Sequence, residues 1–288
     1  MNRRTHIKSL MSLAAATALP SQIYASKTLA GTGPSRPFGY KRSVSHWTVS
    51  DLEWEDLCPW LANQGIEAID LVGPENWHHL KKHGLDSSMC NGAELNLVDG
   101  FIHEEFEAVL HQRYAEMIPR VAKAGYQNLI CFSGNRRGLS EEDGLQQAVR
   151  ALRPMVQLAE EHGVVLQMEL FNSIVDHPDY MADSSSWGIA LAKELASPSF
   201  KLLYDIYHMQ IMEGNLIQNI QENHNFYGHY HVAGVPGRNE PWNNQEINYP
   251  AVMEAIDKVG FDGYVALEYV FAKPIKESMQ KSYNEFIR

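Results

Sequence analysis

Four acidic or imidazole side chains recur in this sequence at intervals that could bring them together around a metal ion. Each lies near the end of a short apolar run, and they are Glu169, Asp205, His231 and Glu268. The intervals between them are 36, 26 and 37 residues. Three carboxylates buried together without a cation would repel one another and could not all stay ionised. A bound divalent cation would resolve this conflict, so the sequence predicts a metal site.

The donor set restricts which ion such a site would hold. Three carboxylates and one imidazole, without a thiolate, suit Mn²⁺, Mg²⁺ or Co²⁺ better than zinc. The alternative is that each residue makes a separate structural hydrogen bond or ion pair. That explanation is favoured for any single residue. Four such residues, each near the end of a successive apolar run, favour a shared ion instead.

The elements that would position these residues alternate regularly from residue 43 onwards. Apolar runs such as IEAIDLV, NLICFSGN and VVLQMELFN are separated by helix-like segments, and eight such strand-helix units can be counted. Nearly continuous apolar strands separated by helices indicate a parallel sheet covered on both faces. Eight units in about 250 residues predict a closed (β/α)₈ barrel, or TIM barrel, with its functional groups at the carboxyl ends of the strands. An open doubly wound sheet is the runner-up, but SVSHWTVSDLEW lacks the glycine-rich phosphate loop expected after its first strand.

Local signals mark the ends of two predicted helices. One helix, over roughly residues 104–124, ends at Gly125, and another runs from about Ser140 to His162 and Gly163. Glycine is common just beyond a helix C-terminus. Ser140 is followed three residues later by Asp143, which predicts a capping box at the start of the second helix.

The amino-terminal segment has the layout of an export signal. Arg3, Arg4 and Lys8 precede a short stretch of small apolar residues, and NRRTHIK resembles a twin-arginine motif. The apolar stretch is too short to span the ~30 Å of bilayer hydrocarbon, so no permanent membrane anchor is expected. We therefore predict a signal peptide at 1–25, a linker at 26–42, one catalytic barrel at 43–288 and a periplasmic location.

Composition and charge exclude some partners. The chain has 288 residues, of which 44% are hydrophobic and 20% charged, as in an ordinary globular protein. Its net charge of −11 would repel phosphate backbones, so nucleic acid is not an expected partner. Cys58, Cys90 and Cys131 form no paired framework, and the last two fall in strand-like runs where core packing is expected.

Two longer stretches resemble a known family. VDHPDYMADSSSWGIALAKELASPSFKLLYDIYHMQIMEGNLIQNIQ and GHYHVAGVPGRNEPWNNQEINYPAV are similar to the hydroxypyruvate isomerase group of the xylose isomerase-like TIM barrel superfamily. The resemblance covers roughly residues 43–287. It implies that Glu169, Asp205, His231 and Glu268 hold one divalent metal and that Glu169 and Glu268 move a proton. It also implies that His208 and Arg238 contact the substrate.

The resemblance implies a reaction as well. The expected activity is isomerisation or epimerisation of a small hydroxy-carbonyl compound or sugar, by proton transfer through an enediolate. A metal that binds the substrate oxygens would acidify the transferred proton, while His208 and Arg238 would stabilise the enediolate charge. Many members of the superfamily are dimers or tetramers, so a homo-oligomer is expected on the same ground.

Other strand-end residues are weaker candidates for substrate contacts. His46 and Trp47 end the first predicted strand and could line a sugar pocket, with aromatic packing as the alternative. Asn91, at the end of the third predicted strand, is a further candidate for a substrate contact.

Three departures from the resembled family leave the substrate open. Hydroxypyruvate isomerases usually carry Gln at the position of His231 and an acid at the position of Gly234. Related ketose 3-epimerases have a substrate-binding glutamate at the position of Val175. A metal-dependent lyase or hydrolase acting on keto sugars or keto glycosides is therefore the alternative activity. A non-catalytic sugar or metal binder is a third reading, which retention of all four candidate ligands disfavours.

Overall fold

Eight short parallel strands, hydrogen-bonded in chain order, close into a barrel in the computed structural model, which describes residues 38–242 and 244–287. The last strand pairs with the first and so completes the ring. The strands are β1 Lys41–Ser45, β2 Ala68–Val72, β3 Asp86–Cys90, β4 Asn128–Cys131, β5 Val165–Glu169, β6 Phe200–Asp205, β7 Tyr227–Val232 and β8 Tyr264–Leu267. The (β/α)₈ barrel predicted from the sequence is confirmed.

Helices follow the strands and cover the outside of the barrel. They are α1 Trp54–Asn63, α2 Trp77–Lys82, α3 Glu104–Ala124, α4 Glu141–His162, α5 Ser185–Leu195, α6 Ile206–Met212, α7 Leu216–Asn223, α8 Tyr249–Lys258 and α9 Ile275–Lys281. Short 3₁₀ turns occupy His46–Val49 and His224–Phe226, and a π turn occupies Ser282–Phe286. The helix α6 begins directly where β6 ends, which brings its first turn to the carboxyl end of the strands.

The strands are buried on both faces because one face packs inside the barrel and the other against the helices. Leu166, Leu202 and Val265, from three different strands, have no exposed surface. The thiols of Cys90 and Cys131 are also buried and unpaired, which confirms the prediction that they pack in the core. Among the described residues, no helix is both long and apolar enough to span a bilayer. The predicted signal peptide lies outside these residues.

The helix signals read from the sequence are confirmed. The α4 N-cap, Ser140, accepts a hydrogen bond at Oγ from the backbone N–H of Asp143, at 3.1 Å. The α3 and α4 helices end at Gly125 and Gly163, which adopt left-handed backbone with φ of 81° and 67°. Residues with a side chain rarely adopt this conformation, so glycine is favoured at both positions.

The N-cap of α4 gives a test of local stability. Ser140→Ala should lower the free energy of unfolding by about 1 kcal/mol, because the N–H of Asp143 loses its acceptor. Ser140→Thr keeps the hydroxyl and should retain most of the stability. Urea unfolding followed by circular dichroism measures both variants, and equal stability of the two would contradict the capping role.

Candidate active site

The four residues singled out by their spacing meet at the carboxyl ends of four consecutive strands. Glu169 ends β5, Asp205 ends β6, His231 lies one residue before the end of β7, and Glu268 directly follows β8. Asp205 and His231 are partners in the parallel register of β6 and β7. One ligand atom from each of the four lies within 4.8 Å of the others, and all four residues are buried. We call this group the acidic cluster.

His231 lies at the centre of the acidic cluster and faces carboxylates with both ring nitrogens. Its Nδ1 is 3.0 Å from Glu169 Oε1, 2.9 Å from Glu268 Oε2 and 3.9 Å from Asp205 Oδ2. Its Nε2 is 2.7 Å from Asp70 Oδ2 on β2. Burial opposes the charge on the ring, but the negative charges of Glu268 and Asp70 raise the pKa of His231 well above its usual value.

Glu268 is the most heavily hydrogen-bonded carboxylate of the cluster. Its Oε1 accepts hydrogen bonds from Trp47 Nε1 at 2.8 Å and from Ser45 Oγ at 3.0 Å. Its Oε2 accepts from Arg238 Nη2 at 2.6 Å. Burial alone would raise the pKa of Glu268, yet the charges of His231 and Arg238 hold it well below the usual value. This carboxylate is therefore anionic.

The negative charges of the other two carboxyl groups of the cluster are less well balanced by cationic neighbours. Burial, followed by repulsion from Glu268, raises the pKa of Glu169 to about 8. Burial also raises the pKa of Asp205 to about 6, although Arg238 opposes the shift. Asp205 Oδ1 accepts the backbone N–H groups of Tyr207 and His208, whereas Oδ2 is buried without a hydrogen-bond partner. An unpaired buried carboxylate oxygen is costly unless a cation approaches it.

His208, in the first turn of α6, presents a hydrogen-bond donor to the cluster. Its Nδ1 lies 2.7 Å from the side-chain nitrogen of Asn172, which also donates to Asp176 Oδ2 at 2.6 Å. Because an amide nitrogen only donates, His208 Nδ1 accepts and the ring proton is on Nε2. That Nε2 has no hydrogen-bond partner and lies 3.5 Å from Asp205 Oδ2. Burial and the charge of Arg238 lower the pKa of His208 well below its usual value.

Arg238 is held over the cluster by a tight loop after β7. Its guanidinium lies 5.4 Å from the ring centre of Trp47 and 5.3 Å from that of Tyr207. The loop closes where Gly234 N–H donates to the Asn239 carbonyl at 2.7 Å. Arg238 itself has a left-handed backbone with φ of 53°, a conformation that costs a residue with a Cβ about 1–2 kcal/mol. The loop therefore fixes the guanidinium at some conformational cost.

A cavity of about 280 Å³ opens onto the acidic cluster. Its lining combines apolar walls with charged groups and consists of Trp47, Leu71, Leu97, Phe132, Glu169, Phe171, His177, Arg238 and Glu268. Of the two residues that end the first predicted strand, Trp47 reaches this cavity. The His46 ring instead stacks on Trp54 at 4.3 Å, and neither His46 nor half-buried Asn91 is among the residues around the cavity.

The 3₁₀ turn at His46–Val49 explains which of the two neighbours faces the site. The predicted first strand extended to residue 48, but β1 ends at Ser45. Once the chain leaves the strand, side chains no longer alternate between its two faces. The turn sends the Trp47 indole N–H to Glu268 and the His46 ring outward to Trp54.

Sequence reasoning missed several polar residues that contact the site, including Ser45, Asn172 and Asp70. Asn172 follows β5 and bonds to His208, and Asp70 lies inside β2 and bonds to His231. The single carboxylate within the apolar stretch AIDLV was the available signal for Asp70, because an ionised group in a buried strand needs partners.

The fold and the acidic cluster define a (β/α)₈ barrel whose candidate active site lies at the carboxyl ends of its strands. The sequence profile of the xylose isomerase-like TIM barrel family matches residues 74–286. The chain therefore belongs to this family.

Several proteins of known name are similar to the chain. A 2-oxo-tetronate isomerase of Cupriavidus necator is 30% identical over 225 residues, which span 72% of this chain and 84% of that protein. A putative hydroxypyruvate isomerase of Xenopus laevis is 31% identical over 136 residues, 47% of this chain, and the match spans only 50% of that protein. The crystal structure of apo 3-keto-D-glucoside 4-epimerase from E. coli superposes with a TM-score of 0.71 at 20% identity, covering 85% of this chain and 97% of that one.

The Arg238 loop gives a second test. A Cβ on Gly234 would lie 2.6 Å from the backbone carbonyl oxygen of Glu240, so Gly234→Ala must displace the loop. We expect a loss of about 1–3 kcal/mol in the free energy of unfolding. Gly39→Ala is the matched control, because its Cβ would meet its nearest atom at 3.5 Å. Chemical denaturation of both variants decides the matter, and an unchanged Gly234→Ala protein would contradict the close packing.

Proposed function

We propose that the chain is a divalent-metal-dependent isomerase or epimerase of a small hydroxy-carbonyl compound or sugar. The observation that carries the proposal is the acidic cluster, which gathers Glu169, Asp205, His231 and Glu268 within 4.8 Å, with the two glutamates lining one cavity. Relatives named as 2-oxo-tetronate isomerases, matched over 84% and 87% of their lengths, support an isomerase or epimerase.

The residues of the cluster fit a divalent ion by their chemistry. Three carboxylates and the Nδ1 of His231 converge, and Asp205 Oδ2 is buried with no hydrogen-bond partner. Oxygen-rich donor sets of this kind suit Mn²⁺, Mg²⁺ or Co²⁺. When bound, such an ion polarises the carbonyl and hydroxyl oxygens of a substrate and so makes the C–H proton between them more acidic.

The two glutamates are placed to move that proton. Glu169 on β5 and Glu268 after β8 both line the cavity, and they reach it from strands three positions apart in the barrel. One carboxylate takes the proton from the carbon beside the carbonyl group, and the other returns a proton to the neighbouring carbon. His208, through its Nε2–H, and Arg238, through its guanidinium, donate to the oxygens that become negative in the enediolate.

The cavity limits the size of the substrate. Its volume of about 280 Å³ corresponds to roughly nine water molecules at ~30 Å³ each. A small monomeric compound fits this space. The apolar walls contributed by Leu71, Phe132 and Phe171 exclude water around the reacting carbons.

Location and assembly are part of the same proposal. Export to the periplasm rests on the twin-arginine-like NRRTHIK segment, which lies outside the described residues. A homo-oligomer rests on the resemblance alone.

Solvent-deuterium incorporation tests the proposed reaction. With Mn²⁺ present, the protein should catalyse exchange at the carbon beside the carbonyl in at least one C3 to C6 hydroxy-ketone, and chelation should abolish it. Glu169→Gln and Glu268→Gln should each lower the exchange rate by about 10²–10⁴-fold. Glu254→Gln, at an exposed ion pair with Lys258, is the matched control and should keep full activity.

Two results would contradict this proposal. Exchange that persists after chelation would remove the role of the metal. Elimination or hydrolysis of a keto glycoside, seen by product analysis, would assign the alternative lyase or hydrolase activity instead.

Metal binding should depend on pH with a defined sign. An ion must displace protons from His231 Nδ1 and from Glu169, whose pKa is raised to about 8, so protons compete with the metal. The affinity for Mn²⁺ should therefore rise as the pH increases from about 6 to about 8. Titration calorimetry in two buffers of different ionisation enthalpy measures the released protons. A pH-independent affinity without proton release would contradict this assignment.

A further inference from the structure

Asp70 is a fully buried carboxylate that lies beneath the acidic cluster and outside it. It sits in the middle of β2, three positions from β7 around the barrel, and has no exposed surface. Its Oδ2 lies 2.7 Å from His231 Nε2, and its Oδ1 lies 3.1 Å from His229 Nε2. Both histidines belong to β7, two residues apart, so they face the barrel interior together.

A chain of hydroxyl groups fixes the Asp70 carboxylate. Ser88 on β3 donates to Asp70 Oδ1 at 2.8 Å. Ser43 on β1 lies 2.5 Å from the Ser88 oxygen, and because Ser88 uses its proton for Asp70, Ser43 must donate to Ser88. The carboxylate, which belongs to β2, is thus fixed by hydroxyl groups from the neighbouring strands β1 and β3 in addition to its contact with His231. Burial alone would raise the pKa of Asp70, but His229 and His231 lower it below the usual value.

The contact with Asp70 determines which nitrogen of His231 faces the cluster. An ionised carboxylate only accepts hydrogen bonds, so His231 Nε2 must carry a proton toward Asp70. The ring then presents Nδ1 to Glu169, Asp205 and Glu268, at 2.9 to 3.9 Å from their oxygens. An imidazole that donates at one nitrogen can bind a metal only through the other.

We propose that Asp70 is a positioning residue for the acidic cluster: it holds the His231 ring with Nε2–H directed to β2 and Nδ1 directed to the site of the ion. The inference rests on the proposed metal site and is independent of which substrate is converted. Asp70 does not line the cavity. It contacts the cluster directly at His231, and Ser45, which donates to Glu268, lies 3.4 Å from Asp70 Oδ2.

A second metal site formed by Asp70, His229 and His231 is the competing explanation. These three residues also offer ligand atoms within 4.8 Å of one another. However, both oxygens of Asp70 already accept from Ser88 and His231, and His231 would have to serve two ions through its two nitrogens. The hydrogen bonds therefore favour a positioning role.

The first experiment is metal binding by calorimetry with Mn²⁺ alone. Asp70→Ala should weaken the binding of Mn²⁺ by about 10–100-fold, as loss of an outer partner of a ligating histidine does. Asp70→Asn keeps one acceptor oxygen and should lose less affinity for Mn²⁺. It replaces Asp70→Ala in this experiment if the alanine variant folds poorly. Glu254→Gln, at the exposed ion pair with Lys258, is the control and should leave the affinity for Mn²⁺ unchanged.

A double-mutant cycle with His231→Ala separates positioning from a general structural role. If Asp70 acts through His231, Asp70→Asn should have no further effect on Mn²⁺ affinity once the ring is removed. An equal loss in both backgrounds would overturn the inference. So would an unchanged affinity in both Asp70 variants, or two ions bound per wild-type chain.

The ring nitrogens of His231 provide a readout that does not involve turnover. In the protein loaded with diamagnetic Mg²⁺, the ¹⁵N shifts should place the proton on Nε2, and Asp70→Ala should produce a mixture of the two tautomers. An unchanged Nε2–H tautomer in Asp70→Ala would overturn the inference. Failure of the wild-type protein to bind Mn²⁺ or Mg²⁺ would overturn both the metal site and this inference, whereas loss of isomerase activity alone would leave the inference standing.

Discussion

Burial of four carboxylates at one end of the barrel is the constraint on which the described structure depends. Asp70, Glu169, Asp205 and Glu268 are each at most 3% exposed, and an uncompensated charge in such a place is very costly. Two cationic side chains, His231 and Arg238, contact this group. Burial, and after it repulsion from Glu268, raises the pKa values of Glu169 and Asp205, whereas the charges of His231 and Arg238 lower that of Glu268. A divalent ion would complete the compensation.

Strands supply the carboxylates of the site, and the segments that follow the strands supply the residues around them. The strands β5 to β8 supply the acidic cluster from positions fixed by parallel register. The loops that follow the strands supply Trp47, His208 and Arg238, which surround the cavity or point into the cluster. The strands are rigid because they are buried on both faces, so the distances between the carboxylates do not depend on the more variable loops.

The sequence was sufficient to predict the fold and the four residues of the cluster, because both follow from one repeated interval. Each strand-helix unit contributes one polar residue at an equivalent position, and the barrel brings equivalent positions together. Asp70 escaped prediction because its contact with His231 joins residues 161 positions apart across the barrel, which no local pattern records. The helix α6 was also unforeseen: it begins directly after β6, and Asp205 caps its first turn. Whether His46 or Trp47 faces the site depends on a 3₁₀ turn, because side chains stop alternating between the two faces of the strand where this turn begins.

The loop closed at Gly234 has a consequence for how this barrel can diversify. Arg238 reaches the cavity from a segment that is closed by the bond from Gly234 N–H to the Asn239 carbonyl and is joined to Val270 by two further hydrogen bonds. A descendant protein could exchange this segment, and with it the selectivity of the cavity, while inheriting the buried carboxylates unchanged. Chemistry and selectivity would then evolve at separate rates within a single chain.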